Sequence, residues 1–368
     1  MEDTFQAERL TLARNRRGMT IAALAKAVSL TPQTISAYER SKSAPADDVV
    51  ERLARALGFP VGFFYADLKD VVPLDAASFR SLSRMGQIKA KAALAGGTFC
   101  VAFYQWVEDR FDLPKPNVPD LDPGIIDPES AAVYVRSAWG LGDAPVSNVL
   151  HLLEAHGVRV LALAADYREV DAFSFWHEDT GTPFICVGTH KTPERSVFDL
   201  AHELGHLCLH RDHGAPRGRD EEREADTFAS SFLMPKADLA IAAPRFPSLH
   251  DLVKAKGRWR VSAAALNFRL HQLRMITDWH YRSLCIEISR VGRNRELNPI
   301  PREQSQVLTK VLAAMRAEGV GRADIAAALH LPLSELDAML SGLVATVIDG
   351  GGEGTEDRSL ARGRLRVV

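Results

Sequence analysis

The residues that most constrain this chain are His202, Glu203 and His206, an H-E-x-x-H inside the stretch SVFDLAHELGHLCLH from Ser196 to His210. On a helix, positions i and i+4 share one face a turn apart, so both imidazoles can aim at one point. Two imidazoles converging in this way supply two ligands of a tetrahedral zinc ion. Glu203 lies about 100° further round such a helix, beside the metal rather than on it. There it can take a proton from an attacking water and pass it to a leaving amine. Val197, Leu200, Leu204 and Leu207 give the helix an apolar face that can hold the ligands still.

A hydrolytic zinc site takes a third protein ligand and keeps one position open. A metzincin-type continuation needs Gly and His where Leu209 and Asp212 stand, which excludes that class. The next helical stretch, DEEREADTFASSFLMP, makes Glu224 the expected third ligand, as in a gluzincin-like site, with Phe228 one turn on as a core anchor. Glu221, a turn earlier on nearly the same face, is the runner-up. Asp220, Glu221 and Glu222 also suit the first turn of a helix, where acids complement the positive end of the macrodipole. His210 is about 12 Å along the helix from His202 by rise alone, so it reads as a supporting or packing histidine. His190 and His213 read as surface loop residues.

The remaining composition sets the frame. A chain of 368 residues suggests two or three domains. Cys100, Cys186, Cys208 and Cys285 show no paired metal spacing and read as reduced intracellular thiols. The polar, acidic start MEDTFQAERL is no secretory leader, and no apolar run reaches a membrane span. A soluble, cytoplasmic protein with no membrane contact is expected. The predicted fold class is α+β and mostly helical: an N-terminal all-α helix-turn-helix domain, then a zincin-like domain with a small sheet and a helical C-terminal part. The expected boundaries are 5–66 for the first domain, 67–128 for a helical connector with a Pro-rich linker, 129–245 for the metal domain, 246–345 for the helical region and 346–368 for a disordered tail. FSFWH and PFICVG read as an antiparallel pair, and GVRVLAL (157–163) as a strand.

Net charge is only −2, yet residues 9–42 hold Arg9, Arg14, Arg16, Arg17, Lys26, Arg40 and Lys42 against the single acid Glu39. That local basic patch suits phosphate contacts of double-stranded DNA. TIAALAKAV, SLT and PQTISAYERS read as helix, turn and helix, with Thr31 as cap and Pro32 at the first helical position. The second helix would enter the major groove. Gln33, Thr34 and Ser36 are candidates for base-edge or adjacent phosphate contacts, and Arg17 and Lys42 for phosphate. A weaker echo at ADIAAALHLPLSELDAML (323–340) has similar apolar spacing but few cations, and reads as packing or oligomerisation.

In the paired H-E-L-G-H and E-A-D-x-F-A…F-L-M-P signals the chain resembles the ImmA/IrrE family of metallopeptidases, and in S-L-T-P-Q-T-I-S-A-Y-E-R-S-K the Cro/C1 (XRE) type of helix-turn-helix. The resemblance implies that His202, His206 and Glu224 bind the metal and that Glu203 is catalytic. It also implies cleavage of a partner transcriptional repressor, in a stress, phage, mobile-element or toxin–antitoxin circuit. A sheet edge at Phe184, Ile185, Cys186 and Val187 would then pair with the substrate backbone. The alternative is a non-proteolytic regulator or antitoxin-like protein whose zinc domain senses or binds a partner. Manganese or iron in place of zinc, and a homodimer, stay open.

Overall fold

The computed structural model describes residues 4–66, 72, 86–163, 171–211, 218–292, 295–345 and 365–366. The helical character expected before residue 86, His213 and nearly all of the tail after 346 lie outside them.

The first unit comprises α1 (Ala7–Arg16), α2 (Ile21–Ala27), α3 (Pro32–Glu39), α4 (Asp47–Leu57) and a 3-10 turn at Val61–Phe64. Thr20 caps α2 by accepting from the Ala23 amide, and Thr31 caps α3 by accepting from the Thr34 amide, with Pro32 behind it. Ser29, at φ 56°, makes the tight turn between the two. Leu10, Leu24, Ile35, Val50 and Leu53 form the core of the unit.

The stretch expected as a connector is not a free tether. Helix α5 (Gln87–Glu108) is buried on several sides, wedged between α1 and the sheet. Gly96 lies under the Arg16 guanidinium and Gly97 under the rings of Phe173 and Phe175. Phe99 joins Phe59 and Phe63 of the first unit, with ring centroids 5.8 and 6.0 Å away. The two parts of the chain therefore share one core. The Pro-rich stretch that follows α5 is also fixed: the Asn117 amide donates to His156 O, and the Leu121 amide to Cys208 O.

The sheet holds β1 (Arg159–Leu163), β2 (Ala172–His177) and β3 (Thr182–Gly188), in the order β1-β3-β2. Strand β3 runs parallel to β1 and antiparallel to β2, with Phe175 opposite Phe184. Period-two alternation sorts the faces. Phe173, Phe175, Phe184 and Cys186 face α5, where Tyr104 meets Phe184 at 5.9 Å. Ser174 and Trp176 face the opposite layer, made of α6 (Pro128–Ala138), α7 (Val149–Ala155), α8 (Pro193–Leu209) and α9 (Arg219–Leu233).

Short helices α10 (Lys236–Ala242), α11 (Leu249–Ala255), α12 (Ala263–Gln272) and α13 (Asp278–Val291) follow. Lys256, after α11, is fully buried and reaches back to Glu194 in the first turn of α8 at 2.8 Å.

The last helices, α14 (Gln306–Ala317), α15 (Arg322–Ala328) and α16 (Leu333–Leu340), repeat α1 to α3 at the same spacing. Positive φ at Gly18, Ser29 and Ser41 recurs at Gly319, His330 and Gly342. Buried Leu24, Ala25, Ile35 and Tyr38 find counterparts in Ile325, Ala326, Leu336 and Met339. The echo in the sequence is thus a second helix-turn-helix scaffold. It docks on the first: Glu335 of α16 takes Arg16 and Arg17, each at 2.6 Å, and is nearly buried. Removing one partner of a buried ion pair strands the other charge. Glu335→Ala is therefore expected to cost about 3–5 kcal/mol of stability, read from denaturant unfolding of the full chain; a change below about 1 kcal/mol, the size of a surface pair, would contradict this packing.

Candidate metal centre and DNA-reading helix

Helix α8 carries the H-E-x-x-H. Thr192 caps it by accepting from the Arg195 amide, Pro193 occupies its first turn, and its apolar face sinks Val197, Leu200, Leu204 and Leu207 into the core. His202 and His206 converge, with their Nε2 atoms 3.1 Å apart.

The carboxylate that meets them is Glu222, not Glu224 or Glu221. Its oxygens lie 3.5 Å from His202 Nε2 and 3.6 Å from His206 Nε2. Among the described residues, His202, His206 and Glu222 form the group of donor atoms, all within 4.8 Å of one another, that could hold a metal ion. Glu224 turns instead to His210, with Oε2 2.9 Å from its Nε2. Glu221 accepts from the Gly218 amide and caps α9. The reason is rotation about the helix: two residues amount to about 200°, so Glu222 and Glu224 cannot both point at His202 and His206. Glu222 continues the buried stripe Ala225, Phe228, Ala229 and Phe232, and Glu224 lies off it.

The fit to a metal is good. Two donors about 2.0–2.1 Å from a tetrahedral ion stand about 3.3–3.4 Å apart, close to the separations here. The site's field also favours a cation. Burial opposes a charge on His202, but hydrogen bonds to Asp226 and Glu222 and the charge of Glu203 outweigh it, pushing the imidazole up to about 10. Burial likewise opposes charge on Glu222, yet its bonds to the two rings hold it well below the usual carboxylate range. Asp226, one turn after Glu222, accepts from His202 Nδ1 at 2.9 Å and so fixes the ring with Nε2 turned to the site.

Glu203 stands beside this cluster and is almost fully buried. Ser174 of β2 donates to its Oε2 at 2.6 Å. Sequence reasoning missed Ser174, Asp226 and Glu222. The alternation of FSFWH could have found the first, and the i, i+4 spacing of the two acids, together with the apolar stripe of α9, the others.

The substrate-pairing residues expected at an edge, Phe184, Ile185, Cys186 and Val187, lie on β3, the central strand. Both of its sides are already paired, to β1 and to β2, so no further strand can add there. The outer strand next to Glu203 is β2.

In the first unit, Gln33 and Lys42 are exposed and Thr34 and Ser36 half-buried on α3 and just after it. Arg17 is spent internally, which corrects its expected role. It donates to Leu57 O at 2.6 Å, pairs with Glu335 and lies 4.6 Å over the Phe59 ring. Arg9 lies over Phe63, Arg14 pairs with Glu39 and Arg16 with Glu335. Of the basic patch, Lys26, Arg40 and Lys42 face solvent.

The approach of α9 to α8 is set at Gly205, where an added Cβ would meet Phe228 at 3.0 Å. Gly205→Ala is expected to cost about 1–3 kcal/mol by overpacking and to weaken metal uptake with it. Thermal unfolding and zinc titration of this variant check both, and an unaltered pair of values would mean the helices tolerate separation.

A family model described as a helix-turn-helix matches residues 10–64, and one described as an IrrE N-terminal-like domain, of a peptidase family, matches residues 153–271. No curated protein matches the chain. No helix among the described residues is long and apolar enough to cross a membrane. The chain therefore joins a helix-turn-helix domain to a metallopeptidase-type domain of the IrrE N-terminal-like family.

Proposed function

We propose that this chain is a DNA-binding regulator whose second domain is a metal-dependent endopeptidase that cuts a partner protein, a transcriptional repressor by family resemblance. The observation that carries the reading is the convergence of His202, His206 and Glu222 with Glu203 held beside them by Ser174. A site serving only structure or partner binding has no use for a carboxylate poised in that way, which favours turnover over a non-proteolytic regulator.

The donor set of two imidazoles and one carboxylate suits zinc, and manganese or iron is chemically compatible. A divalent ion bound there supplies a Lewis acid that polarises a peptide carbonyl and makes water more acidic. Glu203 takes the proton of the attacking water and delivers it to the departing amine as the peptide bond breaks. Ser174 donates to one oxygen of that carboxylate and so fixes its orientation. An extended substrate would lie along β2, because that strand carries Ser174 and brings the scissile bond to Glu203. At the other end of the molecule, α3 would present Gln33, Thr34 and Ser36 to the major groove, with Lys26, Arg40 and Lys42 against phosphates.

Glu203→Gln is expected to retain metal and lose about 10²–10⁴-fold in cleavage of the cognate partner, whereas His202→Ala loses both. Metal content and cleavage assayed on the two variants decide the matter; unchanged cleavage by Glu203→Gln would reject this chemistry. For DNA, Gln33→Ala and Lys42→Ala are expected to weaken binding to the operator, and only the second to lower the salt dependence of affinity. Removal of the whole first unit is a poorer test, because it would uncover α5. Titrations of upstream DNA with the point variants at two salt concentrations give the answer, and wild-type affinity in both would refute the assignment of the reading face.

A further inference from the structure

We propose that Glu224 and His210 form a positioning relay behind the His206 ligand. The inference rests on the metal site proposed above. His206 turns its Nε2 toward His202 and Glu222, while its Nδ1 lies 3.0 Å from Nδ1 of His210. His210 Nε2 in turn lies 2.9 Å from Glu224 Oε2. Both imidazoles are about 1% exposed, whereas a third of the Glu224 side chain reaches solvent.

The hydrogens along this chain can be assigned. A neutral imidazole has one N–H and one bare nitrogen, and two nitrogens in contact need one of each. A ligating ring offers the lone pair of Nε2 to the ion, so the hydrogen of His206 sits on Nδ1 and points at His210. His210 must then accept at Nδ1 and carry its own hydrogen on Nε2, which donates to Glu224. The carboxylate at the far end, an acceptor only when ionised, fixes both rings in one tautomer. Its charge, transmitted through the two polarised bonds, strengthens His206 as a donor.

The two ligand rings are therefore backed in parallel ways. Asp226 supports His202 directly, and Glu224 supports His206 through an interposed ring. Helical spacing makes this work. His210 follows His206 by one turn of α8 and caps its end, within reach of the Glu224 face of α9. The two acids of the E-A-D sequence thus serve different histidines, although neither meets the ion.

The test is zinc affinity of the full chain, measured by competition with a chromophoric chelator, together with the visible absorption bands of the cobalt(II)-loaded protein. Glu224→Ala is expected to weaken zinc binding about 10–100-fold and to shift the cobalt bands. Glu224→Gln still accepts a hydrogen bond but lacks the charge, and should fall between it and wild type. Asp220→Asn removes the same charge from an exposed site on the same helix and should stay within about twofold of wild type. Unfolding of the metal-free variants, unchanged from wild type, separates the effect from damage to the fold. Glu224→Ala binding zinc within twofold of wild type, with unshifted cobalt bands, would overturn the relay alone. A wild-type chain that takes up neither ion would overturn the metal site and the relay together.

Discussion

The close crossing of α8 and α9 is the contact on which the site depends. Gly205 has no side chain, and the Phe228 ring occupies the space that any other residue there would fill. That approach brings a carboxylate of one helix within 3.6 Å of both imidazoles of the other. It also lets Asp226 and Glu224 reach the outer nitrogens of His202 and His210. A ligand set drawn from two helices is only as precise as the distance between their axes, and a glycine facing an aromatic ring sets that distance by contact.

Much of this was legible in the sequence, and the reasons for the failures are geometric. The spacing of His202 and His206 and the alternation of FSFWH fix which side chains share a face, whatever surrounds them. The cap Thr31 announces its helix locally. The E-A-D sequence drew attention to Glu224, while rotation about the helix turns Glu222 to the two imidazoles, in line with Ala225, Phe228 and Phe232. The role of β3 could not be read from its own residues at all. Strand order in a sheet is a non-local property, and Phe184–Val187 looks the same whether it lies at the centre or at an edge.

Charge in the first unit carries a similar lesson. Seven cations in sequence suggested a broad phosphate-binding surface, yet Arg9, Arg14, Arg16 and Arg17 are engaged with aromatic rings and acids of the protein itself. Two of those acid contacts come from Glu335, more than three hundred residues away in the chain. Arginine suits such interior roles because its planar, weakly hydrated head stacks on rings and pairs with two oxygens at once. Lysines, which give up more on leaving water, stay outside at Lys26 and Lys42.

The docked second scaffold has a consequence for operator architecture. Its helix α16 stands where a major-groove helix would, but its early residue Glu335 is buried against the first unit and its neighbour Asp337 pairs with Arg322. Among the described residues the three-helix scaffold thus occurs twice, and in the second the counterpart of Thr34 is a glutamate buried in the contact between the two. If the first scaffold reads a palindromic target, with half-sites about 34 Å apart along the duplex, filling both half-sites takes two polypeptides.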